Sequence, residues 1–327
     1  MTISAPAARP RFAIIDIARG LAIIAMIAYH LCWDLSYFRF IAADVGYDPQ
    51  WVAIARTILS FFLFLVGVGL VLGHGRAIRW RAFWKRWVFV AAGAAIITIA
   101  TYVAFPDSFV YFGVLHAIAL FSLMALPFLR APLWLVALVA IAVIAAHFAY
   151  ADPLFNAKTW SVLGFWTVPP PANDLVPIFP WFGLVLLGII ATRLLLASPL
   201  ADKLAAIQPK NRLATTLAGA GRWSLLIYLL HQPLLLAVLF PLASVTHPEI
   251  AMRSADFLKS CQQTCTNGGT SAPLCVTYCQ CGLEGVQKDD LWNAIYTGQV
   301  TAGEQAQLDA NNRQCSALIY PSLNLPQ

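Results

Sequence analysis

The sequence predicts an all-α protein: a polytopic integral membrane bundle of about seven transmembrane helices over residues 1–247, followed by a small disulfide-rich helical tail over residues 248–327. Three observations predict it. Residues of the set AVILMFWYC make up 60% of the chain and charged residues only 11%, with a mean hydropathy of +0.72, far above a soluble domain's usual apolar share. The apolar residues gather into runs of about twenty, the length a helix needs to cross the hydrocarbon core. Six of the seven cysteines then fall together near the C-terminus, where hydropathy drops.

The seven runs are Phe12–Leu31, Val52–Leu72, Trp87–Phe105, Phe109–Leu129, Leu133–Tyr150, Leu175–Leu195 and Trp223–Ala243. The first carries Asp16 and Arg19 and lacks a small-residue cleavage site, so it reads as a retained span rather than a signal peptide. Between the runs, Lys and Arg alternate in density. Arg9 and Arg11 precede the first run; Arg76, Arg79, Arg81, Lys85 and Arg86 follow the second; Arg130 follows the fourth; Arg193, Lys203, Lys210, Arg212 and Arg222 surround the connection after the sixth. The other loops carry little beyond Arg39 and Lys158. The positive-inside rule therefore predicts a cytoplasmic N-terminus and, after seven crossings, a periplasmic tail. The net charge of +6 is thus a topology signal, and no aromatic-basic patch on a soluble face points to nucleic acid.

Cysteine usage bears on the same orientation from separate chemistry. Cys261, Cys265, Cys275, Cys279, Cys281 and Cys315 crowd a short polar segment, the pattern of a disulfide framework in an oxidising compartment. Cys261 and Cys265 are one helical turn apart, as are Cys275 and Cys279, with a Gly/Thr/Ser-rich turn between. Antiparallel helices would pair Cys261 with Cys279 and Cys265 with Cys275, leaving Cys281 for Cys315. This is one of fifteen connectivities, and a zinc site is the rival use of paired cysteines. Thr301 and Glu304 form a capping-box pattern that opens a last helix.

The first run carries the chemistry. Asp16, Arg19, His30 and Asp34 share one face: at about 100° per residue Asp16 and Asp34 lie five turns apart, with Arg19 and His30 within about 60° of that line. Ionisable groups in a bilayer are costly and face a bundle interior or a wet cavity. Asp16 can pair with Arg19 and Asp34 can orient His30. Such a stripe could also merely anchor the helix ends in headgroups. Beyond this helix, His116 and His231 are further candidates; either could instead bond a neighbouring helix, and Pro233 makes a satisfied kink the competing reading of His231. His74, between Gly73 and Gly75 in a basic loop, reads as a solvated turn residue.

Arg19 followed by His30, within an opening Asp16-Ile-Ala-Arg19-Gly20, resembles the first-helix motif of transmembrane acyltransferases. Gly113-Val-Leu-His116, Asn173-Asp174-Leu-Val-Pro177-Ile-Phe-Pro180-Trp181-Phe-Gly183 and Tyr228-Leu-Leu-His231-Gln232-Pro233 extend the likeness from Arg11 to Leu242. The closest similarity is to bacterial relatives of the heparan-alpha-glucosaminide N-acetyltransferase family, and more distantly to acyltransferase-3 proteins. The resemblance implies a bacterial inner (plasma) membrane protein that takes an acyl group, acetyl above all, from cytoplasmic acyl-coenzyme A to a periplasmic glycan or amino-sugar acceptor. It implies no metal, and a homo-oligomer is left open. One departure stands out: the lysosomal enzyme carries an asparagine at the position of His30 and its active histidine in a luminal loop, whereas the loop 33–48 here contains no histidine.

Acyl transfer from a thioester needs a base or a nucleophile, the role expected of His30 with Asp34, and an oxyanion stabiliser, for which Arg56 and His116 are candidates. Arg19 with Asp16 and His231 would meet the donor, and Asp174 and Trp181, flanking the mouth of the sixth run, the acceptor. Two other classes fit parts of the pattern. A small-solute transporter would also use a polar stripe, although no inverted repeat or pair of broken helices accompanies it. A non-catalytic protein displaying the tail would explain the cysteines and leave Arg19 and His30 without a task.

Overall fold

The computed structural model of the chain describes residues 12–209 and 211–319; Arg9, Arg11 and Lys210, which contribute to the charge asymmetry, lie outside them. The described chain is α-helical, with one isolated parallel bridge, Phe112 to Leu175. It divides into two compact units, Met1–Cys32 with Val45–Leu236 and Trp33–Asp44 with Ala237–Gln327.

The first unit holds α1 (Ala13–Tyr37, whose last turns belong to the second unit), α2 (Pro49–His74), α3 (Trp80–Ala104), α4 (Val114–Met124), α5 (Leu133–Ala149), α6 (Lys158–Ser161), α7 (Ile178–Leu196), α8 (Leu200–Ala205), α9 (Arg212–Arg222) and the first half of α10 (Ser224–Thr246). Among the described residues five helices, α1, α2, α3, α7 and α10, are long and apolar enough to cross a membrane. The other two expected runs form shorter apolar helices, Val114–Met124 and Leu133–Ala149. Proline explains the shortest. α4 stops at Met124, and Pro127, which cannot donate a backbone hydrogen bond, opens a 3₁₀ turn over Pro127–Leu129. The α3 boundary also moves. Helix begins at Trp80, seven residues before the apolar run, so Lys85 and Arg86 lie inside α3 and not in a loop. His74 departs from the expected solvated turn as well. It is buried, and its Nδ1 accepts the Arg79 N–H at 3.2 Å, bracing the α2–α3 turn.

Starts and stops follow local chemistry. Asp48 accepts from the Gln50 N–H at 2.9 Å with Pro49 at the first helical position of α2, and Asn211 caps α9 through the Ala214 N–H at 2.7 Å; both satisfy otherwise orphaned donors. The principal core joins α2, α4, α5 and α7 through Leu63, Phe121, Val136, Phe182, Leu186 and Ile189. Within it α2 and α7 approach backbone to backbone: a Cβ at Gly67 would strike the Val185 carbonyl, and one at Gly188 the Phe64 carbonyl. Such small-residue contacts are how helices associate where lipid offers no hydrophobic drive. A second cluster joins α3, α4 and α10 through Val90, Ala94, Leu115 and Ala119, with Leu225, Tyr228 and Leu229 against it. Large apolar side chains such as Ile96, Ile99, Leu138, Ile141 and Leu234 stay exposed, as a surface solvated by lipid requires.

The second unit contains α11 (Pro248–Asn267), α12 (Ala272–Lys288), α13 (Trp292–Thr297) and α14 (Ala302–Ile319). Its disulfides are Cys261–Cys279, Cys265–Cys275 and Cys281–Cys315, the pairing the antiparallel reading predicts. The turn between α11 and α12 passes through Gly269 at φ 89°, a left-handed conformation that glycine adopts without a Cβ clash. Leu283, Val286, Leu291 and Trp292 form a small core with Phe257, Leu258 and Leu308. Thr301 and Glu304 close the expected capping box, the Thr301 N–H reaching Glu304 Oε2 at 2.8 Å and the Glu304 N–H reaching Thr301 Oγ1 at 3.3 Å. The segment 33–44 is tied to α11 by Arg39–Asp256 and Lys259–Asp44 ion pairs, each 3.3 Å.

Candidate active site

Helix α1 carries the polar stripe, and the structure places its parts in different surroundings. Near the start, Arg19 Nη1 meets Asp16 Oδ1 at 3.5 Å across one turn, with both side chains largely buried. Packing of α9 on this end is close: a Cβ at Gly20 would meet the Leu217 carbonyl and one at Gly221 the Asp16 carbonyl. Three turns farther along α1, the half-buried His30 ring lies 4.9 Å, centroid to centroid, from the ring of His231 on α10. Eleven residues at about 1.5 Å each put His30 about 16 Å from Arg19 along the axis. Asp34, one turn beyond His30 on the same helix, is fully buried and belongs to the second unit.

The two other histidines that sequence reasoning raised differ in what their ring nitrogens do. His231 Nδ1 lies 2.6 Å from the Tyr228 carbonyl. A carbonyl can only accept, so Nδ1 carries the proton and the neutral ring keeps its lone pair on Nε2. That Nε2 is buried and has no hydrogen-bond partner among the described residues. In His116 the assignment is reversed. Its Nδ1 accepts the Gly113 N–H at 3.2 Å, which leaves Nε2–H to donate to Thr98 Oγ1 at 3.0 Å; the Thr98 hydroxyl in turn donates to the Val110 carbonyl at 2.7 Å. Both nitrogens of His116 are occupied in holding α4 to the end of α3.

Asp174 works beside it. Its Oδ2 accepts the Val114 N–H at 2.8 Å and so satisfies a donor of the first turn of α4. The same stretch is pinned by Asn173 N–H to the Ser108 carbonyl at 2.8 Å and Val176 N–H to the Phe112 carbonyl at 2.9 Å. Asp174 is half-buried; desolvation lifts its carboxyl to about 6, against the lowering pull of the Val114 N–H. The ring of Tyr228 on α10 lies 5.6 Å from that of His231. Trp181, half-buried on α7, packs against the principal core. Arg56 is exposed on α2, and among the described residues no hydrogen bond or ion pair links it to His30, His116 or His231. The structure therefore brings His30 and His231 into ring contact, with Tyr228 beside His231, and places Asp174 and His116 at the start of α4.

Sequence reasoning missed two things. The His30–His231 contact joins residues 201 positions apart in the sequence, and no local periodicity signals it. Arg86 read as a loop charge because the apolar run starts one residue later; its position in α3 brings it beside Gly69 and Arg19. Among the described residues no group of three or more His, Cys, Asp or Glu could hold a metal ion.

Helices this long and apolar define a multi-pass membrane protein. The chain belongs to the family described as heparan-alpha-glucosaminide N-acetyltransferase, catalytic, whose model matches residues 11–233. It is accordingly a membrane acetyltransferase in general terms. The match ends just after His231-Gln232-Pro233 and leaves the disulfide-bonded helices outside. No curated protein and no solved structure is significantly similar to the chain.

Proposed function

We propose that the protein moves an acetyl group from acetyl-coenzyme A, bound from the cytoplasmic side, to an amino or hydroxyl group of a periplasmic glycan or amino sugar. The protein sits in a bacterial inner membrane with its N-terminus inside and its tail outside. The observation that carries this reading is the His30–His231 pair, two imidazoles 4.9 Å apart inside an apolar bundle, one of them with an unpartnered Nε2. His30 acts on the acceptor as general base, accepting its proton as the acyl carbon forms its new bond, and returns that proton to the departing thiolate. His231 is a positioning residue: with Nδ1 fixed on the Tyr228 carbonyl, its Nε2 lone pair favours one tautomer and one orientation of His30. Arg19, held by Asp16, lies where the phosphates or amide groups of the donor would enter, about 16 Å from His30 along α1, a span the flexible arm of coenzyme A can bridge. Asp174 and His116 shape the mouth of the site by fixing the start of α4.

The test is a radiolabel assay. Purified protein in nanodiscs is given acetyl-labelled coenzyme A and glucosamine or short glycans. Label should pass to the amino sugar, and His30→Ala should abolish transfer while the protein stays folded. A wild-type protein that neither binds nor slowly hydrolyses acetyl-coenzyme A would remove the basis for this reading.

A further inference from the structure

The start of α1 holds more positive charge than its own carboxylate can balance. A methyl group placed at Gly69 on α2 would lie 2.8 Å from Arg19 Nη2 and 4.0 Å from Arg86 Nη1. The two guanidinium groups, from α1 and α3, therefore lie within about 7 Å of each other across the same glycine, a range over which like charges still repel. Asp16 pairs with Arg19, while Arg86 makes no ion pair with any described residue. Arg79 does not join them: its Nε donates to the Gly73 carbonyl at 3.1 Å and braces the turn. Two planar cations held close together beside Gly69 make an arrangement that a phosphate group satisfies, since guanidinium forks match phosphate oxygens in pairs.

We propose that Arg19 and Arg86 together seat an anionic phosphate group, with Gly69 kept free of a side chain so that both guanidinium groups can reach it. The inference rests on the acyl-coenzyme A reading in assigning that phosphate to the donor. In that reading Arg86 supplies the second arm of the donor's anchor, and Asp16 keeps the unliganded pair from carrying two uncompensated charges. The same chemistry could be offered by an anionic lipid headgroup, so the test separates the two sources.

Full-length protein in nanodiscs of neutral lipid is titrated calorimetrically with coenzyme A, 3′-dephospho-coenzyme A and pantetheine. Arg86→Met should weaken coenzyme A binding by about tenfold or more, as expected for loss of a charge-assisted contact, and leave pantetheine binding unchanged. Arg86→Lys should restore part of the loss. Gly69→Ala, whose added methyl group meets only the movable tips of Arg19 and Arg86, should show the same selective loss with a normal unfolding temperature. A wild-type protein that binds no coenzyme A, but is stabilised by phosphatidylglycerol in a manner Arg86→Met removes, supports the phosphate seat and sinks the donor reading. An Arg86→Met protein that equals wild type toward both coenzyme A and phosphatidylglycerol overturns the proposal.

Discussion

The ring of His30 lies 4.9 Å from the ring of His231, so the first helix and α10 meet at their only imidazoles. What distinguishes His231 from the other candidate histidine is the fate of its second nitrogen. His116 spends both ring nitrogens on the α3–α4 corner, whereas His231 spends one on its own helix and leaves Nε2 unpartnered among the described residues. Two residues of one type thus separate by hydrogen-bond accounting into one with a ring nitrogen to spare and one that braces a corner.

That separation predicts opposite phenotypes. His30→Ala should lower kcat by about 10²–10⁴, the usual contribution of a positioned general base. His231→Ala should lower kcat by a smaller factor and leave the KM for acetyl-coenzyme A near the wild-type value. Steady-state kinetics with donor and acceptor varied separately decide this. If His231→Ala raised only the donor's KM, His231 would be a donor contact and the positioning role would be lost.

His116→Ala, by contrast, should cost stability. It removes two hydrogen bonds, each with a net contribution of about 0.5–1.5 kcal/mol, and leaves the Thr98 and Gly113 groups to find other partners. The unfolding temperature should fall, while kcat per folded molecule stays within a few-fold of wild type. Thermal unfolding in nanodiscs, read beside the same kinetic assay, checks both halves.

The α2–α7 contact predicts a sharp steric threshold. Any Cβ at Gly67 or Gly188 points into a carbonyl of the facing helix, and backbone cannot move aside as a side-chain tip can. Gly188→Val should destabilise the bundle by about 1–3 kcal/mol or more, the range for overpacking, and cut the yield of folded protein. Gly69→Ala, which meets only the side-chain tips of Arg19 and Arg86, should fold normally.

Much of this was legible before any coordinates. The membrane class follows from composition, because backbone polar groups in lipid must be satisfied within helices, and the runs have to be long. One-turn cysteine spacing on two helices joined by a glycine turn suggests one of fifteen connectivities, and the structure selects it. The Asp16–Arg19 pair is legible because both partners sit on one helix. The His30–His231 meeting is not, because it depends on the packing of segments 201 residues apart. Arg86 was legible only as a charge: hydropathy marks where apolar residues start, and α3 starts earlier, at Trp80, with a polar first turn that a window of apolar residues excludes.

The tail predicts a pH effect whose sign can be worked out. The Thr301 hydroxyl and N–H bonds to Glu304 hold its carboxyl below the ordinary value of 4.5. A carboxylate depressed in the folded state contributes stability above its unfolded value, and that contribution is lost as pH falls through the folded one. Amide exchange at the start of α14 should therefore quicken as pH drops below about 4.5, after correction for the intrinsic exchange rate, and Thr301→Ala should remove that pH dependence. Unchanged pH dependence in Thr301→Ala would mean that another group controls this helix end.

The disulfides predict both an order of stability and a compartment. Cross-link stabilisation grows with the loop closed, and the Cys281–Cys315 bridge spans 34 positions against 10 for Cys265–Cys275. Loop entropy then assigns about 4 kcal/mol to the first and about 3 kcal/mol to the second, so replacing Cys281 and Cys315 by alanine should loosen the tail more. Protease sensitivity of α12 and α14 in the full-length protein should follow that order. In a Cys32→Ser background, tail cysteines should resist a membrane-impermeant thiol label in intact spheroplasts and accept it after mild reduction. Labelling without reductant would show that these thiols are free. Failure to label after reduction, in a protein that labels once the membrane is opened, would put the tail on the cytoplasmic side, opposite to the expected topology.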